Sequence, residues 1–440
     1  LALAGVYLTP EEYKGKIPVV RGHESFSVAP EDFRCQQPGP GFTIQSSGTS
    51  NRPMESRRSL DRRVKAISMA IFLSAHGLFS YSHALYDAIL PAGGGLTNLL
   101  IYAKLGIPTE RWFAREVPVP WPVKWYGALT TQMIVRAAKR CPAGFPTPEV
   151  IGVNDTRLIV RWLEEKRRSG QRCCVTCSAS NAARISRVAW DLGVSLEGTK
   201  FVVSGEPFTK AKKESIERVG ARAASRFSSG LKINSGIGYG CANPLYDDEV
   251  HVHQHSIAVI ANRQSLFDDR AAIHPLMVTT LHQSAGKFLL NVQNGDYAIF
   301  GRRDCGCNLE KVGLTLHLHN IRSFEKFTSE GMNYFTTDLF ELIEQTIPSE
   351  FGGGLGDYQL VEEEDDSGQT RLTLLVHPAV TGLNEANLLA RLQQGLAQGS
   401  RNNRFMSKLW LDAGTFRVRR EVPYASARGK ILPLHIKHET

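Results

Sequence analysis

Between Ser46 and Pro53 the chain reads Ser-Ser-Gly-Thr-Ser-Asn-Arg-Pro, a glycine set among four hydroxyl side chains and closed by a basic residue. The backbone N–H groups of such a turn can converge on anionic oxygens, and Ser and Thr hydroxyls add donors at little steric cost. A polyphosphate is the ligand this chemistry suits. The turn follows Gly41-Phe42-Thr43-Ile44, a run that reads as a strand. It is not a Walker loop, since G-x-x-x-x-G-K-[ST] is absent here. Taken alone it is also compatible with an ordinary Ser/Gly turn that binds nothing.

Four further segments follow in order. Ser204-Gly205-Glu206-Pro207 lies between a strand-like run and a basic amphipathic one. Gly295-Asp296 follows Asn291-Val292-Gln293-Asn294, and its carboxylate is a natural bidentate acceptor for a vicinal diol. Arg322-Ser323-Phe324-Glu325-Lys326 leads to Gly331-Met332-Asn333-Tyr334-Phe335, and Arg428-Gly429-Lys430 stands near the C-terminus. Singly, each is ordinary: Gly-Asp is usually a turn, and a terminal lysine is usually solvated.

Together, in this order and spacing, they resemble the adenylate-forming superfamily of acyl-CoA synthetases, luciferases and peptide-synthetase adenylation domains. The similarity is to the branch containing phenylacetate–CoA ligase and relatives linked to capsule biosynthesis, and it runs from about Pro18 onward. The resemblance implies that Ser46, Ser47, Gly48, Thr49, Ser50 and Arg52 hold phosphates of ATP. It places Ser204, Gly205, Glu206 and Pro207 beside adenine, Asp296 on the ribose and Arg322 at a hinge. Lys430 would bridge the substrate carboxylate and the α-phosphate. The implied enzyme is an AMP-forming acid–thiol ligase. It forms an acyl-adenylate from a carboxylic acid, aromatic by analogy, then passes the acyl group to CoA or to a carrier protein. The same fold also serves amine or hydroxyl acceptors, and a degenerate nucleotide binder is the non-enzymatic alternative.

One departure from the family bears on the metal. Relatives place an aromatic residue for adenine stacking a few positions before a Ser/Thr-Glu pair whose glutamate holds Mg²⁺. Here Phe227 can serve as the aromatic, but no Asp or Glu occurs between Arg218 and Tyr246. Asn234 offers only an amide oxygen, a weaker ligand than a carboxylate. Asn51 also replaces a usual glycine, and the hinge begins Phe324-Glu325 in place of paired acids.

Cys305-Gly306-Cys307 occupies the position of a C-x-C-G segment in many relatives, with Cys241 and His251 upstream. By that resemblance the three thiolates and one imidazole form a tetrahedral structural zinc site, with His253 or His255 as substitute ligands. Reduced, unliganded thiols are the alternative. Cys174 and Cys177 are also spaced C-x-x-C but sit in an apolar run, as buried strand cysteines do. Trp112-Phe113 with Trp121, Trp125 and Tyr126 could line an acyl pocket or pack in a core or loop. For His76 and His83 the sequence does not separate a pocket role from packing.

The elements that position these residues alternate. Cys173–Cys177 and Lys200–Val203 read as strands flanking the amphipathic Asn181–Leu192, a pattern of parallel α/β layers from about Gly41 to Thr280. The Pro-rich stretches Val117–Pro122 and Cys141–Pro148 read as loops. From His251 the pattern turns to β, with strands expected over His251–Ala261, Met277–Leu281 and Phe288–Val292. Beyond Arg322 a helix is expected over Thr336–Ile347, ending at Pro348. A hairpin of Asp357–Glu364 and Arg371–His377, a helix over Asn384–Gln398 and a strand near Phe416–Val418 follow. The expected fold is α/β. It comprises a large N-terminal domain of layered sheets with a β subdomain, 1–321, and a small mobile α+β domain, 322–440, carrying Lys430.

Bulk properties agree with a globular enzyme of two domains: 440 residues exceed what one core usually serves, and 42% are hydrophobic. The net charge of +9 favours anionic ligands, yet the basic residues are dispersed, which suits a nucleotide better than a nucleic-acid track. No apolar run reaches the length of a membrane span. Eight cysteines in so long a chain do not make a disulfide scaffold, and reduced thiols in the cytoplasm are the simpler expectation. Neither nucleic acid nor membrane is expected as a partner; a homodimer is compatible with the sequence.

Overall fold

Six strand-like runs in the first half of the chain are each separated from the next by a helical one, and five of the separating helices are seen in the computed structural model. The structure describes all residues except 36–40, 46–54, 60–62, 91, 116–120, 139–143, 153–154, 229–230, 232, 234–235, 262–273, 283–284, 324–325, 330–331, 336–341, 355, 366–368, 398–409, 412–413, 425–433 and 437–440. Ser82–Tyr86, Thr109–Arg115, Pro148–Ile151, Cys173–Ser178, Thr199–Ser204 and Arg222–Phe227 pair in parallel. Their spatial order places the first and fourth strands side by side, so the chain winds outward in both directions from that point. Helices Gly94–Lys104, Trp121–Ala138, Arg157–Arg168, Ala179–Asp191 and Lys210–Glu217 make the crossovers. In such sheets, ligands bind beyond the carboxyl ends of the strands.

The apolar Cys173–Ser178 run forms a strand because helices cover both of its faces, leaving five of its six residues buried. Ser178 then caps the next helix, its hydroxyl accepting from the Asn181 N–H at 3.3 Å. The sheet does not stop at Phe227. Gly238–Gly240, Val250–Val252, Leu316–Ser323, Val292–Arg302, Pro275–Thr280 and Ile257–Ala261 extend it antiparallel, in that spatial order, to twelve strands.

A second, four-stranded sheet comprises Phe416–Arg420, Thr370–Val376, Tyr358–Glu364 and Leu434–Ile436. Helix Glu385–Ala397 covers it with Leu388, Leu392 and Leu396, spaced four apart on one face. The buried cluster so formed shares no member with the clusters of the large sheet. Among the described residues, hydrogen bonds that cross between the two units include Arg184 Nη2 to Gln369 Oε1 at 3.2 Å and Gln369 Nε2 to the Ser180 carbonyl at 3.4 Å.

Several expected boundaries shift. The chain over Phe288–Asn291 is not strand, and pairing begins at Val292, just after the left-handed Asn291 (φ 49°). The chain does not break at Pro348, which enters the first turn of helix Ile347–Phe351, where its missing N–H costs nothing. Trp121 and Pro122 open a helix, so the loop expected over Val117–Pro122 ends sooner.

Candidate active site

Beyond the carboxyl ends of Thr199–Ser204 and Arg222–Phe227 lies an open cleft, about 610 Å³ counted with the solvent in its mouth. Gly205, Glu206 and Pro207 form one wall, Phe227 another, and Asp296 with Arg322 a third. Six residues singled out from the sequence, up to 117 positions apart, therefore line one space. Gly205 makes the turn into the first wall with φ of 94°, a left-handed value that side chains rarely adopt.

Each wall is held by groups behind it. The Glu206 carboxylate turns away to the start of helix Ala179–Asp191, accepting from Ser180 N at 2.7 Å and Ser180 Oγ at 2.6 Å. An acid at a helix N-terminus satisfies N–H groups that have no partner within the helix. The Lys212 ammonium lies 3.8 Å from it, both side chains fully buried, and donates to the Pro207 carbonyl at 3.1 Å. Glu206 thus offers its backbone to the cleft and its charge to the scaffold. Ser204 sits below the wall, its Oγ 3.4 Å from Arg226 Nη2, and Arg226 also donates to Asn98 Oδ1 at 3.2 Å. The buried Asp296 carboxylate accepts from Asn294 Nδ2 at 2.9 Å, while Asn294 Oδ1 accepts from Asp296 N. Asp296 and Tyr297 pair across the ladder with Ser323 and Arg322.

The residue that sequence reasoning missed is Asp248. Its two oxygens accept from the backbone N–H groups of Asn320 and Ile321, both at 2.8 Å, and from Arg322 Nη1 at 2.9 Å. The signal was present: the acid-free stretch ends in Asp247-Asp248-Glu249. A run of acids usually means a solvated face, but here each acid is paired to a different element. Asp247 meets Lys213 at 2.8 Å, and Glu249 meets Arg303 at 2.8 Å.

Ser46, Ser47, Gly48, Thr49, Ser50, Arg52, Asn234 and Lys430 lie outside the described residues, as do Phe324 and Glu325 of the hinge segment. Trp112 and Phe113 are buried in the core, the indole donating to the Asp87 carbonyl at 2.9 Å. Trp121, Trp125 and Tyr126 stand in solvent, so none of the five aromatic residues lines the cleft. His83 is buried with Nε2 2.8 Å from the Leu78 carbonyl, and His76 bridges Lys200 and Gly240, both as packed residues. Cys173, Cys174 and Cys177 are buried in their strand.

The four cysteine and histidine residues do converge. One ligand atom from each of Cys241, His251, Cys305 and Cys307 lies within 4.8 Å of the others. His251 Nδ1 donates to the Leu314 carbonyl at 2.5 Å, which turns Nε2 to the sulfurs of Cys307 at 3.2 Å and Cys305 at 3.6 Å. Ligands about 2.1–2.3 Å from a tetrahedral zinc ion are about 3.5 Å apart, so the donor set fits that metal in kind and spacing. Burial pushes the Cys305 thiol up to about 11 and Cys241 higher still, a penalty that a bound cation would offset, whereas at Cys307 hydrogen bonds outweigh burial and hold the thiol below its usual value. Among the described residues His253 and His255 are not part of the group: His253 meets Tyr239 edge-on, and His255 reaches Ser68 Oγ at 3.3 Å. The strand ends at Val252, so His253 and His255 lie in the turn beyond it.

No family model matches the chain, and no curated protein matches it by sequence. Solved structures do match by fold, and those described here are acyl-CoA ligases. A 2-hydroxyisobutyryl-CoA ligase, solved with 2-HIB-AMP and CoA in its thioesterification state, superposes over 94% of this chain and 77% of its own, with a TM-score of 0.50 and 13% identity. A malonyl-CoA ligase bound to methylmalonyl-CoA and AMP matches 87% of this chain and 71% of its own, at TM-score 0.47 and 13% identity. An anthranilate CoA ligase with anthranoyl-AMP matches 88% and 65%, at 0.40 and 11%. Over 94% of its length the chain therefore shares the mixed α/β fold of the 2-hydroxyisobutyryl-CoA ligase.

Proposed function

We propose that this protein is an AMP-forming acid–thiol ligase of the phenylacetate–CoA ligase type. It adenylates a carboxylic acid, aromatic by analogy, and transfers the acyl group to CoA. The observation that carries this reading is the gathering of Gly205, Glu206, Pro207, Phe227, Asp296 and Arg322 around one cleft. Through all of these but Arg322, which stands at the hinge, the resemblance assigns adenine and ribose.

The chemistry proposed for the chain's own groups is electrostatic. A carboxylate attacks the α-phosphorus of ATP and pyrophosphate leaves, so negative charge grows on the α-phosphoryl oxygens and the leaving group. Phe227 stacks the base, and the Asp296 carboxylate accepts from the ribose hydroxyls. Donors of Ser46 to Ser50 with Arg52 stabilise the pyrophosphate, and Lys430 bridges the two reacting anions. We place the domain boundary at 321/322, so that a swing beyond Arg322 brings Lys430 to the cleft and later removes it for thiol attack. Magnesium would be held mainly by ATP and water, with the Asn234 amide in place of a carboxylate. A zinc ion on Cys241, His251, Cys305 and Cys307 would tie two β segments together without entering the reaction.

The absence of Asp and Glu from Arg218 to Tyr246 supports a second reading, transfer to an amine, hydroxyl or carrier-protein thiol. Pyrophosphate release with MgATP and a panel of aromatic and fatty acids tests the first step, and mass analysis of the product identifies the acceptor. Release should fall about a hundred- to a thousandfold in Lys430→Ala. Silence across the panel, with no MgATP binding by calorimetry, would replace the ligase with a degenerate binding protein.

A further inference from the structure

Helix Trp121–Ala138 turns its small residues inward and its large ones outward. Gly127, Thr131 and Val135 are buried, and the Thr131 hydroxyl donates to the Gly127 carbonyl one turn back at 2.7 Å. On the opposite side Trp121, Trp125, Tyr126, Leu129 and Met133 are 74%, 56%, 68%, 38% and 61% exposed. At 100° per residue these five side chains span an arc of about 140°, in which only Gln132 and Arg136 are polar. An ordinary surface helix has the reverse arrangement. A continuous exposed aromatic face of this kind marks a surface that is covered in use.

The charges of its stretch of sequence, between Glu116 and Glu149, indicate what covers it. From Val117 to Pro148 the chain has Lys124, Arg136, Lys139 and Arg140 but no acidic residue, although about one residue in ten is acidic overall. Trp and Tyr rings favour the boundary between hydrocarbon and headgroups, and Arg can lay its apolar stem along the face while its guanidinium meets phosphate. Among the described residues no helix is long and apolar enough to cross a membrane, so this one would lie flat, over roughly 27 Å. A twofold contact with a second copy would set the same basic residues against each other. We propose that the exposed face of Trp121–Ala138 docks the protein on an anionic lipid bilayer. This departs from the expectation that no membrane partner is involved, and it stands independently of the reaction assigned above.

The test is co-sedimentation of the full chain with phosphatidylcholine vesicles and with phosphatidylcholine–phosphatidylglycerol vesicles. Binding is expected to the anionic vesicles, weakened by salt, with tryptophan emission quenched by brominated lipid. Trp121→Ser/Trp125→Ser/Tyr126→Ser should lower the apparent affinity at least about tenfold, and Arg136→Glu should weaken binding selectively on anionic vesicles. Unchanged circular dichroism and melting temperature would establish that both variants are folded. The proposal is overturned by no binding to either vesicle, by equal binding to both, or by undiminished binding of the triple variant. A dimer in sedimentation velocity that the triple variant dissolves would instead assign the face to a second copy.

Discussion

Arg322 and Asp248, 74 positions apart, meet at 2.9 Å on the wall of the cleft, and the same carboxylate accepts the backbone N–H groups of Asn320 and Ile321. One buried acid thus fixes both the guanidinium and the strand that carries it. The segment where the chain leaves the large sheet is anchored from the element at Val250–Val252.

Asp248→Ala should therefore destabilise the fold by about 3 kcal/mol, because it leaves two N–H donors and a guanidinium without their acceptor. Asp248→Asn retains one acceptor oxygen and should cost less. Urea unfolding measures both. A loss under about 0.5 kcal/mol in Asp248→Ala would place Arg322 under the control of other groups.

Removal of metal gives a second expectation. Protein prepared without chelator should contain about one equivalent of zinc by mass spectrometry, and Cys305→Ser or His251→Gln should lose it. Apo protein and both variants should melt at least about 5 °C lower, since metal binding contributes directly to folding. Zinc below about a tenth of an equivalent in fresh protein would leave these residues as packed thiols and an imidazole.

Acid sensitivity gives a third. His76 lies between two partners: its Nδ1 is 3.1 Å from the Lys200 ammonium and its Nε2 is 2.9 Å from the Gly240 carbonyl. Burial, and then Lys200, lower its pKa from 6.5 to about 4. Between these values the unfolded chain binds the proton and the folded chain does not, so stability falls as pH drops from about 6.5 to about 4. In His76→Gln this part of the slope should disappear. Chemical denaturation midpoints at several pH values in that window, compared with wild type, decide the matter; parallel curves would exclude His76 as the source.

Much of the fold was legible because period and burial agree locally. Cys173–Ser178 is mostly apolar and became a doubly covered strand, and Leu388, Leu392 and Leu396 recur at helical spacing and became one buried face. Of the residues singled out, Gly205, Glu206, Pro207, Phe227, Asp296 and Arg322 line one cleft, and the nucleotide-binding roles given to them belong to the proposed function. Trp121-Pro122 misled, because Pro reads as a loop signal although it is also favoured in the first turn of a helix. The aromatic residues after it also misled, since hydrophobicity alone does not say which side of a helix faces water.

By itself the sequence determined which elements form and which chemistry their residues could perform, since both follow from side-chain type and spacing over a few residues. Tertiary structure decided which distant groups share a space. Asp248 is an unremarkable member of an acidic run until the strand Leu316–Ser323 pairs beside Val250–Val252 and brings Arg322 to it. Likewise Cys241, His251, Cys305 and Cys307 become one group only when the antiparallel half of the sheet is assembled. Contacts made across tens of residues depend on strand order, which no local pattern contains.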